Sequence, residues 1–139
     1  MIDSRNAATA ALVMRVSLGA MFIAHALLKY FVFTLPGTAQ FFASLGLPGF
    51  LGYATFAAEL VGGILLIAGV KTRAVAIALI PVLIGATWAH AGNGWLFTSP
   101  NGGWEYPAFW TLALVVQALL GDGAFAFTGT ESSRSLQRA

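Results

Sequence analysis

The stretch from Phe50 to Val70, FLGYATFAAELVGGILLIAGV, decides the fold of this chain. It is apolar over about 20 residues, which is the length that a helix needs to cross the hydrocarbon core of a bilayer. Glu59 is the one charged residue within it. Because a carboxylate at mid-bilayer depth costs about 2.5–3.5 kcal/mol or more, it is usually kept where it faces the protein interior and finds a partner. The stretch therefore predicts a transmembrane helix with a buried polar contact at Glu59.

The composition of the whole chain also indicates a membrane protein. Of its 139 residues, 58% are hydrophobic and only 9% are charged, whereas soluble domains carry about 25% charged residues. The absence of cysteine excludes disulfides, thiolate zinc sites and Cys-ligated iron–sulfur clusters. The net charge of +2 gives no indication of a nucleic-acid partner. We expect one compact domain in the lipid bilayer, and no cleaved signal peptide, because the first apolar stretch is too long and too charged for one.

Apolar runs separated by turn residues predict an all-α fold, namely an integral membrane four-helix bundle. The predicted helices span about 8–33, 49–70, 73–92 and 106–127, within a single domain over 1–139 that ends in a polar tail, 128–139. Thr38 to Leu45 could add a short interfacial helix. Gly62 and Gly63 predict a close contact between helices.

The positions of Lys and Arg predict how the bundle is oriented. They flank the first helix, occupy the turn between the second and third helices and recur in the tail: Arg5, Arg15, Lys71, Arg73, Arg134 and Arg138. Since cytoplasmic connections carry an excess of these residues, both termini should be cytoplasmic and the two longer connections should face outward. Aromatic residues gather at the predicted outer side: Tyr30, Phe31, Phe33, Phe50, Tyr53, Trp88, Trp95, Trp104, Tyr106 and Trp110.

A helix rise of about 1.5 Å per residue places the polar side chains in two groups. The outer group contains His25, Lys29, Glu59, His90 and Glu105, with Trp95 and Trp104 nearby in the sequence. The inner group contains Arg15 and Asp122, which we predict to form a structural ion pair. Arg15, His25 and Lys29 fall within an arc of roughly 80° on the first helix, so this face should point into the bundle.

Glu59 and His25 are the predicted catalytic residues, because Glu and His can relay protons or hydrogen-bond the carbonyls of a quinone. The predicted ligand-binding residues are Lys29, His90, Glu105, Trp95 and Trp104. Some of these polar residues also have a simpler interpretation. The side chains of Lys29 and Arg15 could extend to the lipid headgroups, and His90 could cap the end of its helix. Haem ligation by His25 and His90 is disfavoured by their different depths. No spacing motif supports a metal site, so none is predicted.

Four segments of this chain together resemble the DoxX family over about residues 15–127. They are Arg15 to Phe22 (RVSLGAMF) with His25 and Lys29 following, Phe56 to Gly63 (FAAELVGG), Trp88 to Trp95 (WAHAGNGW) and Gly102 to Pro107 (GGWEYP). The resemblance implies a four-helix protein of the bacterial inner membrane. It also implies thiosulfate- or quinol-dependent redox chemistry, often as a small subunit, and many such proteins carry an oxidoreductase label.

These observations favour a component of a quinone-linked redox system with an outward-facing polar pocket, working with a larger redox subunit. The chain has no cofactor motif of its own, so whether it is an enzyme by itself stays open. The alternative is a non-enzymatic binder of lipids or small molecules, or a membrane assembly partner. A third hypothesis is a proton-coupled transporter, for which a homo-oligomer would supply further helices.

Overall fold

The computed structural model describes residues 3–128, and the regular secondary structure of this part of the chain consists of helices without strands, which confirms the predicted all-α class. The helices are α1 (Ser4–Phe31), α2 (Leu35–Ser44), α3 (Phe50–Ala68), α4 (Thr72–His90) and α5 (Glu105–Leu120), and a 3-10 turn, Ala91–Asn93, continues α4. The predicted polar tail lies outside the described residues beyond Thr128.

Side-chain caps set the start of the first two helices. The carboxylate of Asp3 accepts a hydrogen bond from the backbone N–H of Arg5 at 3.0 Å, so α1 begins at Ser4 rather than at residue 8. Thr34 caps α2 by accepting from the N–H of Gly37 at 3.1 Å. Pro36 lies in the first turn of α2, where its missing N–H would have had no partner in any case.

Within residues 3–128, three segments are long and apolar enough to cross a membrane: Ser4–Phe31, Phe50–Ala68 and Thr72–Asn93. The fourth, α5, is apolar but has only 16 residues. Large apolar side chains on the outer surface remain exposed, for example Val61, Ile77 and Leu119. By contrast, the most buried side chains include Arg15 and Gln117. An apolar exterior around polar interior residues is the arrangement that suits a lipid environment.

The last helix is shorter than predicted. We predicted a helix over 106–127, but α5 ends at Leu120 because Gly121 adopts a φ of 82°, which glycine reaches without a steric cost. Gly123, at a φ of 72°, then brings the chain so close to α1 that an added Cβ would lie 2.6 Å from Ala11. The segment Gly121–Thr128, called the C-terminal strap here, therefore leaves the helical direction and crosses the base of the bundle.

The helices pack as two intimate pairs, α1 with α3 and α4 with α5, joined by contacts of α3 with α4 and of α1 with α5. The shared core consists of Leu18, Phe22, Leu66, Ala76, Leu79, Leu83, Trp110 and Leu114. Helix α2 packs mainly on α3.

Two glycines allow α1 and α3 to cross at backbone distance. A Cβ on Gly19 would lie 2.6 Å from the carbonyl oxygen of Gly63, and one on Gly63 would lie 2.8 Å from that of Gly19. Gly62 faces the other way, with Leu79 of α4 filling the space at 2.8 Å. Gly63 therefore allows close contact of α3 with α1, and Gly62 allows close contact of α3 with α4. Small residues commonly have this role in membrane bundles.

Candidate functional site

The centre of the candidate site is an ion pair between α1 and α3. Lys29 Nζ donates to Glu59 Oε2 at 2.8 Å. The Glu59 side chain is 5% exposed and that of Lys29 is 18% exposed, so the pair sits just inside the surface of the bundle. A buried charge is tolerated when it is paired and hydrogen-bonded. Lys29 is therefore the partner that we expected for a carboxylate buried within an apolar helix.

His25 lies one turn before Lys29 on α1, on the same face of the helix. Its Nδ1 is 2.9 Å from the carbonyl oxygen of Met21. Because a carbonyl only accepts, Nδ1 carries the hydrogen in this contact. In the neutral ring, Nε2 then presents a lone pair, and no described residue hydrogen-bonds it. His25 is therefore held in a fixed tautomer with one nitrogen free for a ligand or a proton.

Two aromatic residues of α5 stand beside His25. The ring of Trp110 meets His25 edge-on at 4.7 Å between centroids, and Tyr106 stacks on it at 6.1 Å. Trp110 is only 4% exposed, yet its Nε1–H finds no acceptor among residues 3–128. A buried donor left without a partner costs about 1–3 kcal/mol. The sequence indicated Trp110 only as one of the aromatic residues at the predicted outer side, although its one-turn spacing from Tyr106 places both on one face of α5.

His90 and Glu105 lie at the two ends of the connection between α4 and α5, apart from the Lys29–Glu59 pair. His90 Nδ1 contacts the carbonyl oxygen of Ala86 at 2.8 Å, and its ring lies against Gly102. Glu105 Oε1 accepts from the backbone N–H of Phe97 at 2.9 Å. Within the described residues, neither side chain hydrogen-bonds or ion-pairs with Glu59. His90 is the last residue of α4 and Glu105 is the first residue of α5. Glu105 holds the backbone of the loop between these helices at Phe97, whereas the hydrogen bond of His90 stays within α4.

Trp95 and Trp104 lie on the same loop, edge to face at 4.7 Å between ring centroids. They are 54% and 36% exposed. Two backbone hydrogen bonds join the two ends of this loop. The N–H of Trp104 donates to the carbonyl oxygen of Gly94, and the N–H of Glu105 donates to that of Trp95. The aromatic rings that adjoin His25 are thus those of α5 rather than this loop pair.

Arg15 and Asp122 lie close together, but not as the predicted ion pair. Arg15 is 1% exposed and donates only to backbone carbonyl oxygens. Its guanidinium reaches the carbonyls of Leu66, Ile67, Asp122 and Ala124. The Asp122 carboxylate instead accepts from the backbone N–H of Thr72 at 3.1 Å, at the start of α4. The physical reason is that backbone carbonyl oxygens in the last turn of α3 carry a partial negative charge, which attracts the Arg15 guanidinium.

An apolar layer separates the Glu59 site from Arg15. On α1, Leu18 and Phe22 lie between Arg15 and His25, and on α5, Leu114 lies between Trp110 and Gln117. All three apolar residues belong to the shared core and are at most 2% exposed. The two polar groups are therefore separate. The Glu59 site includes a ring nitrogen of His25 that no described residue hydrogen-bonds, whereas the guanidinium of Arg15 is hydrogen-bonded to backbone carbonyls.

Neither of the two open surface grooves reaches Glu59. One runs along α1 beside Val13 and Ser17, and the other lies between α4 and α5 beside Trp88 and Thr111. Within residues 3–128, no three His, Asp or Glu side chains are grouped to hold a metal ion.

Replacing Lys29 by methionine should destabilise the protein by about 2 kcal/mol, because it leaves Glu59 buried without its cation. The cost is less than for a fully buried pair, since Lys29 is partly exposed. The double variant Lys29→Met with Glu59→Leu should recover most of the loss. Thermal unfolding in detergent measures both effects, and equal losses in the single and double variants would contradict this account.

The fold defines a multi-pass helical membrane protein, with a buried Lys29–Glu59 ion pair between α1 and α3. The DoxX family profile matches residues 10–92, and the chain belongs to the DoxX family. A curated protein of Bacillus subtilis (strain 168), named "Putative oxidoreductase CatD", is 44% identical over 75 residues. That match covers 54% of this chain and 54% of the relative, so the chain spans about half the length of the curated relative. No solved structure matched the chain.

Proposed function

We propose that this chain is a small component of a quinone-linked redox system in the bacterial plasma membrane, with Glu59, His25 and Lys29 at its site. The observation that carries the proposal is the buried Lys29–Glu59 pair beside a histidine with a free ring nitrogen. Family membership and the oxidoreductase name of the B. subtilis relative support a redox role.

A quinone takes up electrons and protons in equal number when it is reduced to a quinol. Glu59 and His25 would accept or deliver those protons, and Lys29 would hold the negative charge of the Glu59 carboxylate in place. The rings of Tyr106 and Trp110 would flank the planar ligand. The electrons would pass to or from a larger redox subunit, because the chain has no cysteine and no cofactor motif.

The proposed arrangement in the membrane is a single domain over 1–139 with four spans, α5 being the fourth. Both termini would be cytoplasmic, because Arg5, Lys71 and Arg73 lie at one end of the bundle. The Glu59 pair then opens toward the outer side through Lys29, below the loop that contains His90 and Glu105. A second copy of the chain could complete the assembly.

Quinone binding provides the test. The protein purified in mild detergent should bind menadione and its reduced form, menadiol, whose hydroxyl groups can donate to a carboxylate or to a free ring nitrogen. Glu59→Gln should weaken the affinity for menadiol about ten-fold by removing a charged hydrogen-bond acceptor. His25→Ala should have a similar effect. Glu105→Gln is the matched control, since this carboxylate holds the backbone of Phe97 and an amide oxygen can replace it.

Mass spectrometry of copurifying small molecules separates this proposal from its alternative. A quinone that is lost from the Glu59→Gln variant supports the redox role. A phospholipid retained by every variant would favour the lipid-binder hypothesis, for which the apolar groove between α4 and α5 offers a place. Unchanged menadione binding and redox activity in both Glu59→Ala and His25→Ala would overturn the proposal.

A further inference from the structure

The C-terminal strap presents two phenylalanines at the base of the bundle. Phe125 and Phe127 are 78% and 79% exposed, which makes them the most exposed large apolar side chains among residues 3–128. Phe125 has a φ of 53°, a left-handed conformation that a bulky residue rarely adopts. A strained backbone of this kind points to a role for the residue. Because the exposed ring gains little from the protein core, the strain favours a partner outside the bundle.

This surface lies where the bundle meets the membrane surface. Helix α3 ends beside the strap and α4 begins there, and both belong to candidate membrane spans. The N–H of Phe127 donates to the carbonyl oxygen of Ala68 at 3.1 Å, and the hydroxyl of Thr128 accepts from the N–H of Lys71 at 2.6 Å. Both phenylalanines are therefore held at the level of the lipid headgroups, where aromatic side chains are favoured.

Two exposed cations flank the same strap, Lys71 and Arg73. Lys71 lies at the Thr128 end. Arg73 lies at the other end, since its Nη2 would be 3.6 Å from a Cβ added to Gly121. Within residues 3–128, the Arg73 guanidinium hydrogen-bonds only through Nε, to the carbonyl oxygen of Ala118 at 2.9 Å. Its terminal nitrogens are therefore available to an anion.

An acidic group also lies beside these cations. The Asp122 carboxylate accepts from the N–H of Thr72 at 3.1 Å, and the buried guanidinium of Arg15 donates to the Asp122 carbonyl oxygen at 2.9 Å. The cations Lys71, Arg73 and Arg15 outnumber this carboxylate, so the surface keeps a net positive charge.

We propose that the C-terminal strap, with Lys71 and Arg73, binds an anionic phospholipid. The two cations bind the phosphate of the headgroup, because their charge complements it. Phe125 and Phe127 contact the glycerol backbone and the start of the acyl chains. A phospholipid is favoured over a soluble phosphate, since only the lipid offers apolar surface to the two rings. The site is independent of the proposed redox function, because it shares no residue with the Glu59 site.

Native mass spectrometry of the full chain, released from a neutral detergent, tests the site. The probes are dioleoyl-phosphatidylglycerol, dioleoyl-phosphatidylcholine, which has the same chains without net charge, and inorganic phosphate, which has the charge without chains. We expect the first phosphatidylglycerol to bind about twenty-fold more tightly than phosphatidylcholine, since each cation near an anionic headgroup contributes a factor of about five. Inorganic phosphate at the same concentration should not displace it.

Charge variants locate the site. Lys71→Gln and Arg73→Gln should each weaken phosphatidylglycerol binding about five-fold and leave phosphatidylcholine binding unchanged. Arg5→Gln is the matched control, because Arg5 is also exposed and precedes the first span, but its Nε pairs with Asp3 at 3.4 Å. We expect this control to change the affinity less than about two-fold.

Replacing Phe125 by asparagine separates lipid binding from folding. Asparagine tolerates a positive φ, so Phe125→Asn should be at least as stable as the wild type in neutral detergent. It should nevertheless bind phosphatidylglycerol about five-fold more weakly, because an apolar contact is lost. Phe97→Asn is the matched control, since Phe97 is 64% exposed in the loop between α4 and α5. If a charge variant fails to fold, the Phe125→Asn comparison still decides.

Three results would overturn the proposal. Equal affinities for phosphatidylglycerol and phosphatidylcholine would remove the role of the cations. A loss in Arg5→Gln as large as in Lys71→Gln would show a diffuse charge effect instead of a site. Displacement of the lipid by inorganic phosphate at equal concentration, or unchanged binding in Phe125→Asn, would show that the strap does not recognise a lipid.

Discussion

Replacing Arg15 by alanine should lower the free energy of unfolding by about 3–5 kcal/mol, the largest stability loss we expect from a polar substitution in this chain. The guanidinium joins the end of α3 to the C-terminal strap through four backbone carbonyls. Alanine would remove the Arg15 donors from the carbonyl oxygens of Ile67 and of the strap, whereas that of Leu66 would keep its bond from the N–H of Gly69. A buried carbonyl without a donor costs about 1–3 kcal/mol when it cannot reach water.

Thermal unfolding in detergent measures this loss, with Arg73→Ala as the control. Arg73 donates to a single carbonyl, that of Ala118, and is exposed, so its removal should change stability by less than about 1 kcal/mol. Arg15→Lys should lie between the two, because an ammonium lacks the forked geometry of the guanidinium. Menadione affinity should change less than stability does, since an apolar layer separates Arg15 from Glu59. A normally stable but inactive Arg15→Ala protein would contradict the structural role.

Replacing Gly63 by valine should destabilise the bundle by about 3 kcal/mol or prevent folding, because α1 and α3 cross at backbone distance there. A Cβ at this position would lie 2.8 Å from the backbone oxygen of Gly19 and 2.8 Å from Ile23 Cγ1. A backbone atom cannot move aside as a flexible side chain does, so the two helices must separate.

Gly85→Val is the matched control for this prediction. Gly85 is also inside a membrane helix, α4, but a Cβ there would meet nothing within 4 Å. We expect a change of less than about 1 kcal/mol for Gly85→Val, measured by thermal unfolding and by the retained fraction on size-exclusion chromatography. Equal behaviour of the two variants would show that the Gly19–Gly63 contact does not control helix packing.

The sequence predicted the helices well where length and hydropathy decide them, as in α3. It failed at the end of α5, because Ala124 to Phe127 are apolar enough to extend the helix. Gly121 and Gly123 carry the turn, and their positive φ values show only in the folded backbone. The sequence Gly-Asp-Gly at 121–123 favours a turn, but our prediction gave more weight to the hydropathy of the residues that follow it.

The site was predictable only in part for a similar reason. Counting helix rise brought Lys29 and Glu59 to similar depth, and the structure joins them at 2.8 Å. The estimated depth of each side chain in the membrane could not show that His90 and Glu105 lie apart from the Lys29–Glu59 pair. Depth does not specify which face of the bundle a loop covers. Nor could it show that Arg15 binds carbonyl oxygens, since every residue supplies one and the sequence does not mark which are free.

The clamp at Arg15 also has a consequence for how the protein is made. The chain is synthesised from its N-terminus, so Arg15 enters the membrane with α1 before any of its acceptors exist. The carbonyls of Leu66 and Ile67 arrive with α3, and those of Asp122 and Ala124 arrive only after α5 is complete. An unfinished chain therefore carries an incompletely bonded charge among apolar helices. Completion of the C-terminal strap supplies the last two of these acceptors, so the charge of Arg15 is fully hydrogen-bonded only in the finished chain.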